Sequence, residues 1–279
     1  MNAIIVPAII VAAIGLIAAI VLVIASKIMY VPVDERVALI SEALPGANCG
    51  ACGFPGCDGY AQALGEDPEL APNLCPVGGS SVATIIGGIL GVEVGEVEPK
   101  TAFVMCNGMS TKTKQIMEAD RIHDCKSAKM FFGGHWACTH GCLGLGDCQK
   151  ECMYDAIYIV DGVAKVDTEA CVGCGACTKA CPNHVISIVN KKDKVHVACK
   201  SSEKGAITRR ACTVGCIGCG KCVKVCKFEA INVENNLAKV DYEKCKNCGL
   251  CAKECPTNAI VNLRKKKAPA KKPAAPAAE

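Results

Sequence analysis

The sequence predicts an α+β chain of four parts: an N-terminal transmembrane helix, a small four-cysteine domain, and two tandem modules made of cysteine loops and short hairpins. Three observations predict it. Residues 3–26, AIIVPAIIVAAIGLIAAIVLVIAS, carry no charge. The 24 cysteines among 279 residues recur at fixed spacings. The run ACTHGCLGLGDCQKEC at 137–152 returns as ACTVGCIGCGKCVKVC at 211–226, with Leu145 standing where the later copy has Cys219.

Only 4% of the residues are aromatic, so aromatic burial cannot carry the cores. Small cysteine-dense modules are stabilised by disulfides or by metals. Here the spacing C-x-x-C-x-x-C-x-x-x-C suits the thiolate corners of an iron–sulfur cube, and prolines follow Cys181 and Cys255 as that pattern has them. A disulfide framework and four-cysteine zinc sites are the alternatives that C-x-x-C pairs alone would allow.

As a helix, residues 3–26 would be about 36 Å long, enough for a hydrocarbon core of about 30 Å. We therefore expect residues 1–29 to anchor the chain by a single pass. No basic region precedes the apolar run, which is also too long for a cleaved signal. The uncharged start and the following Lys27 favour a cytoplasmic side for the rest. Reducing cytoplasm would suit so many thiols.

Residues 34–100 form the expected four-cysteine domain, with Cys49, Cys52, Cys57 and Cys75 holding one [4Fe-4S] cluster. Glycines 50, 53 and 56 let backbone amides approach the sulfurs. A zinc knuckle is the alternative here. The domain holds ten Asp or Glu against Arg36 and Lys100, a balance of −8. Its GGSSVATIIGGILG run lacks the lysine of a phosphate loop and reads as a small-residue helix and loop.

Two repeats follow, expected at 101–190 and 191–263, each a cysteine loop, a hairpin and a second cysteine loop. In the first, Ile157, Ile159, Val163 and Val166 alternate around Asp161-Gly162; the second turns at Asn235-Asn236. The plan resembles bacterial two-cluster ferredoxins, in which the fourth cysteine of each run ligates the other cluster. Carried onto this chain, the resemblance gives one cluster to Cys216, Cys219, Cys222 and Cys255 and its neighbour to Cys226, Cys245, Cys248 and Cys251. In the first module it gives one cluster to Cys152, Cys171, Cys174 and Cys177. It leaves Cys142, Cys148 and Cys181 one ligand short, because of Leu145. Cys138, four residues before Cys142, is the expected substitute. Cys212 is then free to join Cys106, Cys125 and Cys199 in a further site, with ordinary buried thiols as the alternative. Cysteines thus suffice for five clusters and a sixth. Residues 264–279, RKKKAPAKKPAAPAAE, are expected to be a disordered basic tail.

The order of apolar helix, NCGACGFPGC with NLCPVGG, GCLGLGDC and two ferredoxin-like modules resembles the RnfB family. These are iron–sulfur subunits of the Rnf complex, a membrane-bound ferredoxin:NAD oxidoreductase that pumps sodium ions or protons. The resemblance extends to about Leu263 and implies a chain that takes electrons from reduced ferredoxin and relays them to flavin-bearing partner subunits. Met153 and Lys227 depart from it, standing where proline often follows the fourth cysteine.

The residues themselves point to relay. There is no G-x-G-x-x-G after a strand, no phosphate-loop lysine and no C-x-x-C-H. A hydride therefore has to form on a partner's flavin. His123, His135, His140, His184 and His196 lack the paired spacing of cluster ligands, and His135 and His140 are expected to pack beside a cluster. Residues 186–279 carry 20 Lys or Arg against eight Asp or Glu, and remain at +7 without the tail. That excess predicts an acidic partner on the C-terminal module, reduced ferredoxin. No nucleic-acid partner is expected. An Rsx-type relay that reduces a redox-sensing regulator, and a zinc-binding scaffold, are the other function classes.

Overall fold

The computed structural model describes residues 2–28, 34–67, 69–118 and 121–264. Helix α1 (Asn2–Ile28) opens the chain. Its side chains are described from Ala12 to Ser26. Among the described residues no helix is long and apolar enough to cross a membrane. This corrects the expected transmembrane helix at 1–29, the fold class that included it, and the single-pass localisation. The tail expected at 264–279 lies outside the described residues beyond Arg264.

Three helices build the four-cysteine domain: α2 (Glu35–Ala43), α3 (Cys57–Glu66) and α4 (Gly79–Leu90). Asp34 caps α2 by accepting the Arg36 N–H. The apolar faces meet in a core whose centre is Ile40, Tyr60, Leu64 and Ile86, all essentially fully buried. Tyr60 Oη donates to the Ala71 carbonyl at 2.8 Å and accepts the Leu74 N–H at 3.3 Å. Those two bonds fix the segment that delivers Cys75. The small-residue run forms α4 and stops at Gly91, left-handed at φ 69°.

The two modules share one plan. In the first, strand β1 (Lys100–Val104) precedes helices α5 (Cys125–Met130) and α6 (Asp147–Lys150) and the hairpin β2 (Ile157–Val160) and β3 (Val163–Val166); α7 (Ala176–Ala180) and β4 (Ile186–Asn190) follow. β1 closes antiparallel on β4, Lys100 opposite Asn190. In the second, β5 (Val195–Val197), α8 (Gly205–Ala211), α9 (Lys221–Val225), β6 (Ile231–Glu234), β7 (Leu237–Val240), α10 (Leu250–Lys253) and β8 (Ile260–Asn262) follow in order. β5 closes antiparallel on β8. Both expected hairpins form. Val160 faces Val163 and Glu234 faces Leu237, and the turn residues Asp161, Gly162, Asn235 and Asn236 all have positive φ. Val163 and Ala164 of the first core are fully buried, as Ala259 is in the second.

The modules are joined by side chains and by backbone. Phe103 of β1 stacks on His196 of β5 with ring centres 4.4 Å apart. The Lys114 N–H donates to the Ala211 carbonyl at 3.1 Å and the Thr213 N–H to the Lys112 carbonyl at 2.9 Å. The four-cysteine domain meets the first module where Lys179 Nζ donates to the Cys49 carbonyl at 3.5 Å.

Candidate metal centres

Four cavities are each ringed by cysteines. Cys49, Cys52, Cys57 and Cys75 line the first, within the N-terminal domain. Cys152, Cys171, Cys174 and Cys177 line the second. Cys125, Cys142, Cys148 and Cys181 line the third. Cys106, Cys138, Cys199 and Cys212 line the fourth, between the two modules, where Cys142 also reaches. The structure therefore exchanges two residues relative to the sequence expectation: Cys125, not Cys138, stands with Cys142, Cys148 and Cys181, and Cys138 joins the group between modules.

The physical reason lies in the segment between β1 and Cys138, whose path no spacing rule predicts. Cys125 opens α5, and Asp124 caps that helix by accepting the Ser127 N–H at 2.7 Å. Asp147, at the start of α6, is nine-tenths buried. Its Oδ1 accepts the Cys125 N–H at 3.0 Å and its Oδ2 the Lys126 N–H at 3.2 Å. Leu145, the residue in the place of a ligand, packs on a small core of Cys125, Ala128, Trp136 and Leu143. Sequence reading missed Asp147; its signal was a charge reversal, since Lys221 holds the matching position of the second copy.

At the fourth cavity, backbone from both modules crowds the sulfurs. A Cβ at Gly141 would lie 3.5 Å from both the Cys106 and the Cys138 sulfur, and one at Gly108 would lie 3.3 Å from Cys212 and 3.6 Å from Cys106. Thr113 Oγ1 donates to Cys212 Sγ at 3.5 Å. In the second module Cys216 and Cys222 are buried in one core, with Cys226, Cys251 and Cys255 packed against it. Burial raises the Cys251 thiol, and Cys245, Cys248 and Cys222 add to the shift.

Backbone amides point at sulfurs throughout. Gly78 donates to Cys75 at 3.4 Å, Ala102 to Cys171 at 3.3 Å, Ala164 to Cys142 at 3.5 Å, Ala230 to Cys226 at 3.4 Å and Asn247 to Cys245 at 3.4 Å. Such bonds favour a thiolate. Burial works the other way in the metal-free chain. It pushes the thiols of Cys106, Cys148 and Cys177 up to about 12, with neighbouring thiols adding to the effect. A buried thiol ring with inward amides is the donor set an iron–sulfur cube takes, since its iron replaces the thiol protons. Among the described residues no group of three or more His, Cys, Asp or Glu could hold a metal ion. The sulfurs ring cavities, as the corners of a cube require.

The cysteine groups form a file in the sense that the thiols of each act electrostatically on those of the next. Besides burial, Cys49 raises the Cys174 thiol, linking the first and second groups. Cys177 contributes to the shift of Cys148, linking the second and third. Cys142 contributes to that of Cys106, linking the third and fourth. Cys216 contributes to that of Cys199, and Cys222 to that of Cys251, carrying the file into the second module. The fourth group is the bridge between modules.

Trp136 and His140 line that fourth cavity, and His135 packs on Trp136 with ring centres 4.6 Å apart. His196 sits elsewhere. It is 1% exposed, with Nδ1 2.7 Å from Tyr242 Oη and Nε2 3.0 Å from the Asp193 carbonyl. Both of its nitrogens are occupied, and burial lowers its pKa.

Cysteine-loop modules with this topology define a multi-cluster electron carrier of the ferredoxin type. Family profiles agree: residues 44–77 match one described as "Putative Fe-S cluster", 164–187 a 4Fe-4S binding domain and 210–263 a 4Fe-4S dicluster domain. The chain is 46% identical over 261 residues to the RnfB-type chain of the Na(+)-translocating ferredoxin:NAD(+) oxidoreductase complex of Acetobacterium woodii, covering 93% of this chain and 78% of that one. It is 43% identical to the corresponding chain of the proton-translocating ferredoxin:NAD(+) oxidoreductase complex of Clostridium ljungdahlii, covering 93% of each. It is 41% identical to that of the ion-translocating oxidoreductase complex of Methanosarcina acetivorans, covering 89% and 94%. The chain belongs to the RnfB family of the ion-translocating oxidoreductase complexes. It carries several [4Fe-4S] clusters and serves as an electron-transfer component of a multi-subunit complex, an electron carrier when taken alone.

Proposed function

We propose that this chain takes electrons from reduced ferredoxin at its second module and relays them through six [4Fe-4S] clusters towards flavin-bearing partner subunits. The cysteine groups would be Cys49/52/57/75, Cys152/171/174/177, Cys125/142/148/181, Cys106/138/199/212, Cys216/219/222/255 and Cys226/245/248/251. The domains would run 34–100, 101–190 and 191–263. The continuous file of thiol groups carries this reading. The relatives from Acetobacterium and Clostridium are named for ferredoxin and NAD.

Bound clusters supply one-electron redox states and nothing else. The chain's own residues fix the spacing of the centres, shield most of the sulfurs from water and present an entry face. Two observations favour entry at the second module. Cys219 and Cys248 are exposed while the other cysteines are partly or wholly buried. Lys221, Lys224 and Lys227 are exposed beside them. Two clusters of about −2 each would lower the charge of residues 186–279 from +12 to about +8. That residual charge steers an acidic carrier. The acidic N-terminal domain then lies at the delivery end.

The test is the rate of reduction of the loaded chain. Changing Lys221, Lys224 and Lys227 to Glu should slow reduction by ferredoxin about ten-fold or more at low salt, and should slow reduction by a small neutral donor far less. Ferredoxin-driven rates unmoved by the triple change would place docking elsewhere.

A further inference from the structure

Besides Leu145 and Cys219, the two copies of the cluster loop show a reversal of charge at one position, Asp147 and Lys221. Asp147 and Lys221 each open a short helix, α6 and α9, after a glycine in the left-handed region, Gly146 at φ 87° and Gly220 at φ 69°. Each immediately precedes a cysteine of its group, Cys148 or Cys222. The backbone frame is the same and the charge is opposite.

Their surroundings differ as well. Asp147 is nine-tenths buried and lines the same cavity as Cys125, Cys142, Cys148 and Cys181. Both its oxygens are held by backbone N–H groups, one of them that of Cys125. Lys221 is exposed. A fixed negative charge with little water around it opposes the arrival of an electron nearby, and a positive charge favours it.

We propose that Asp147 is a positioning residue with two linked effects. Its carboxylate pins the remote cysteine Cys125 in the place Leu145 leaves empty, and it holds that cluster at a lower potential than the counterpart at Cys216, Cys219, Cys222 and Cys255. The file is therefore uneven, with a step before the group that bridges the modules. This rests on the cysteine grouping given above, so the experiment tests the two separately.

The full chain, loaded anaerobically, is titrated with EPR detection. Cys125→Ala and Cys219→Ala first identify, by their loss, the signals of the two clusters. Asp147→Asn should keep the full iron content and raise the reduced-to-oxidised ratio of the first signal about ten-fold at fixed potential, about 59 mV for one electron. Lys221→Asp should move the second signal the opposite way. An unmoved ratio in Asp147→Asn with iron retained overturns the inference. If Asp147→Asn loses iron, the Lys221→Asp titration decides, and an unmoved second signal overturns it. Should Asp147→Asn shift a signal that Cys125→Ala leaves intact, the cysteine grouping is wrong, independently of any effect of charge.

Discussion

Leu145 shows how one residue redirects a ligand set. With no sulfur at that position, the third cavity is completed by a cysteine 20 residues upstream, and the leucine side chain packs beneath that cysteine. The loaded chain should carry about 24 irons, four per site. Cys125→Ala should lose about four of them, and adding Leu145→Cys should restore them, because it rebuilds the C-x-x-C-x-x-C run of the second copy. Cys138→Ala should also lose about four, yet Leu145→Cys should not restore those, since Cys138 stands at the other cavity. Iron and acid-labile sulfide counts on the four variants decide this. Rescue of Cys138→Ala by Leu145→Cys would return Cys138 to the third cavity.

At the scale of elements, each cluster loop of the two modules is folded against a hairpin turn or a strand end, and this contact fixes where its cysteines point. Gly144 shows it most clearly. It has φ +76°, and a Cβ there would lie 2.4 Å from the Gly162 carbonyl oxygen in the β2–β3 turn. Gly220, at φ +69°, has nothing within 4 Å of that point. An alanine at Gly220 carries only the left-handed backbone cost of about 1–2 kcal/mol. Gly144→Ala adds a backbone clash and should cost about 3 kcal/mol or more. Denaturant midpoints of the loaded variants, read by cluster absorbance, should separate the two. Equal losses would mean that the loop does not rest on the turn.

At the scale of the molecule, two modules and a helical domain are arranged so that their thiol groups form one file, and the bridging group takes cysteines from both modules. Loading that file is coupled to protons. Burial raises the Cys106, Cys148 and Cys177 thiols from an ordinary 9.0 to about 12, so each keeps its proton across the physiological range in the metal-free chain. Iron must displace those protons. Cluster assembly should therefore strengthen as pH rises and weaken as it falls, with the gain continuing towards pH 12 for these three sites. Chelator competition at pH 7 and pH 8.5 checks the sign: more iron should be retained at the higher value. Retention that is flat or reversed between the two would show that these thiols are not protonated before loading.

By itself the sequence determined the chemistry and the local pieces. Cysteine spacing identified the cluster loops, the Asp161-Gly162 and Asn235-Asn236 pairs placed both hairpins, and the comparison of two copies exposed a missing ligand. These are short-range properties, set within a few residues by turn geometry and by the reach of a side chain. The identity of the substitute ligand was not legible. Spacing favoured Cys138, four residues before Cys142, over Cys125, but the grouping depends on how residues 105–138 pass between the modules. Tertiary structure decided it through long-range contacts: the Asp147 carboxylate on the Cys125 N–H, and the pairing of residues 112–114 with 211–213, which carries Cys212 to Cys106 and Cys138. Local chemistry is written in neighbouring residues, whereas the sharing of ligands between modules is a property of chain path, which only packing fixes.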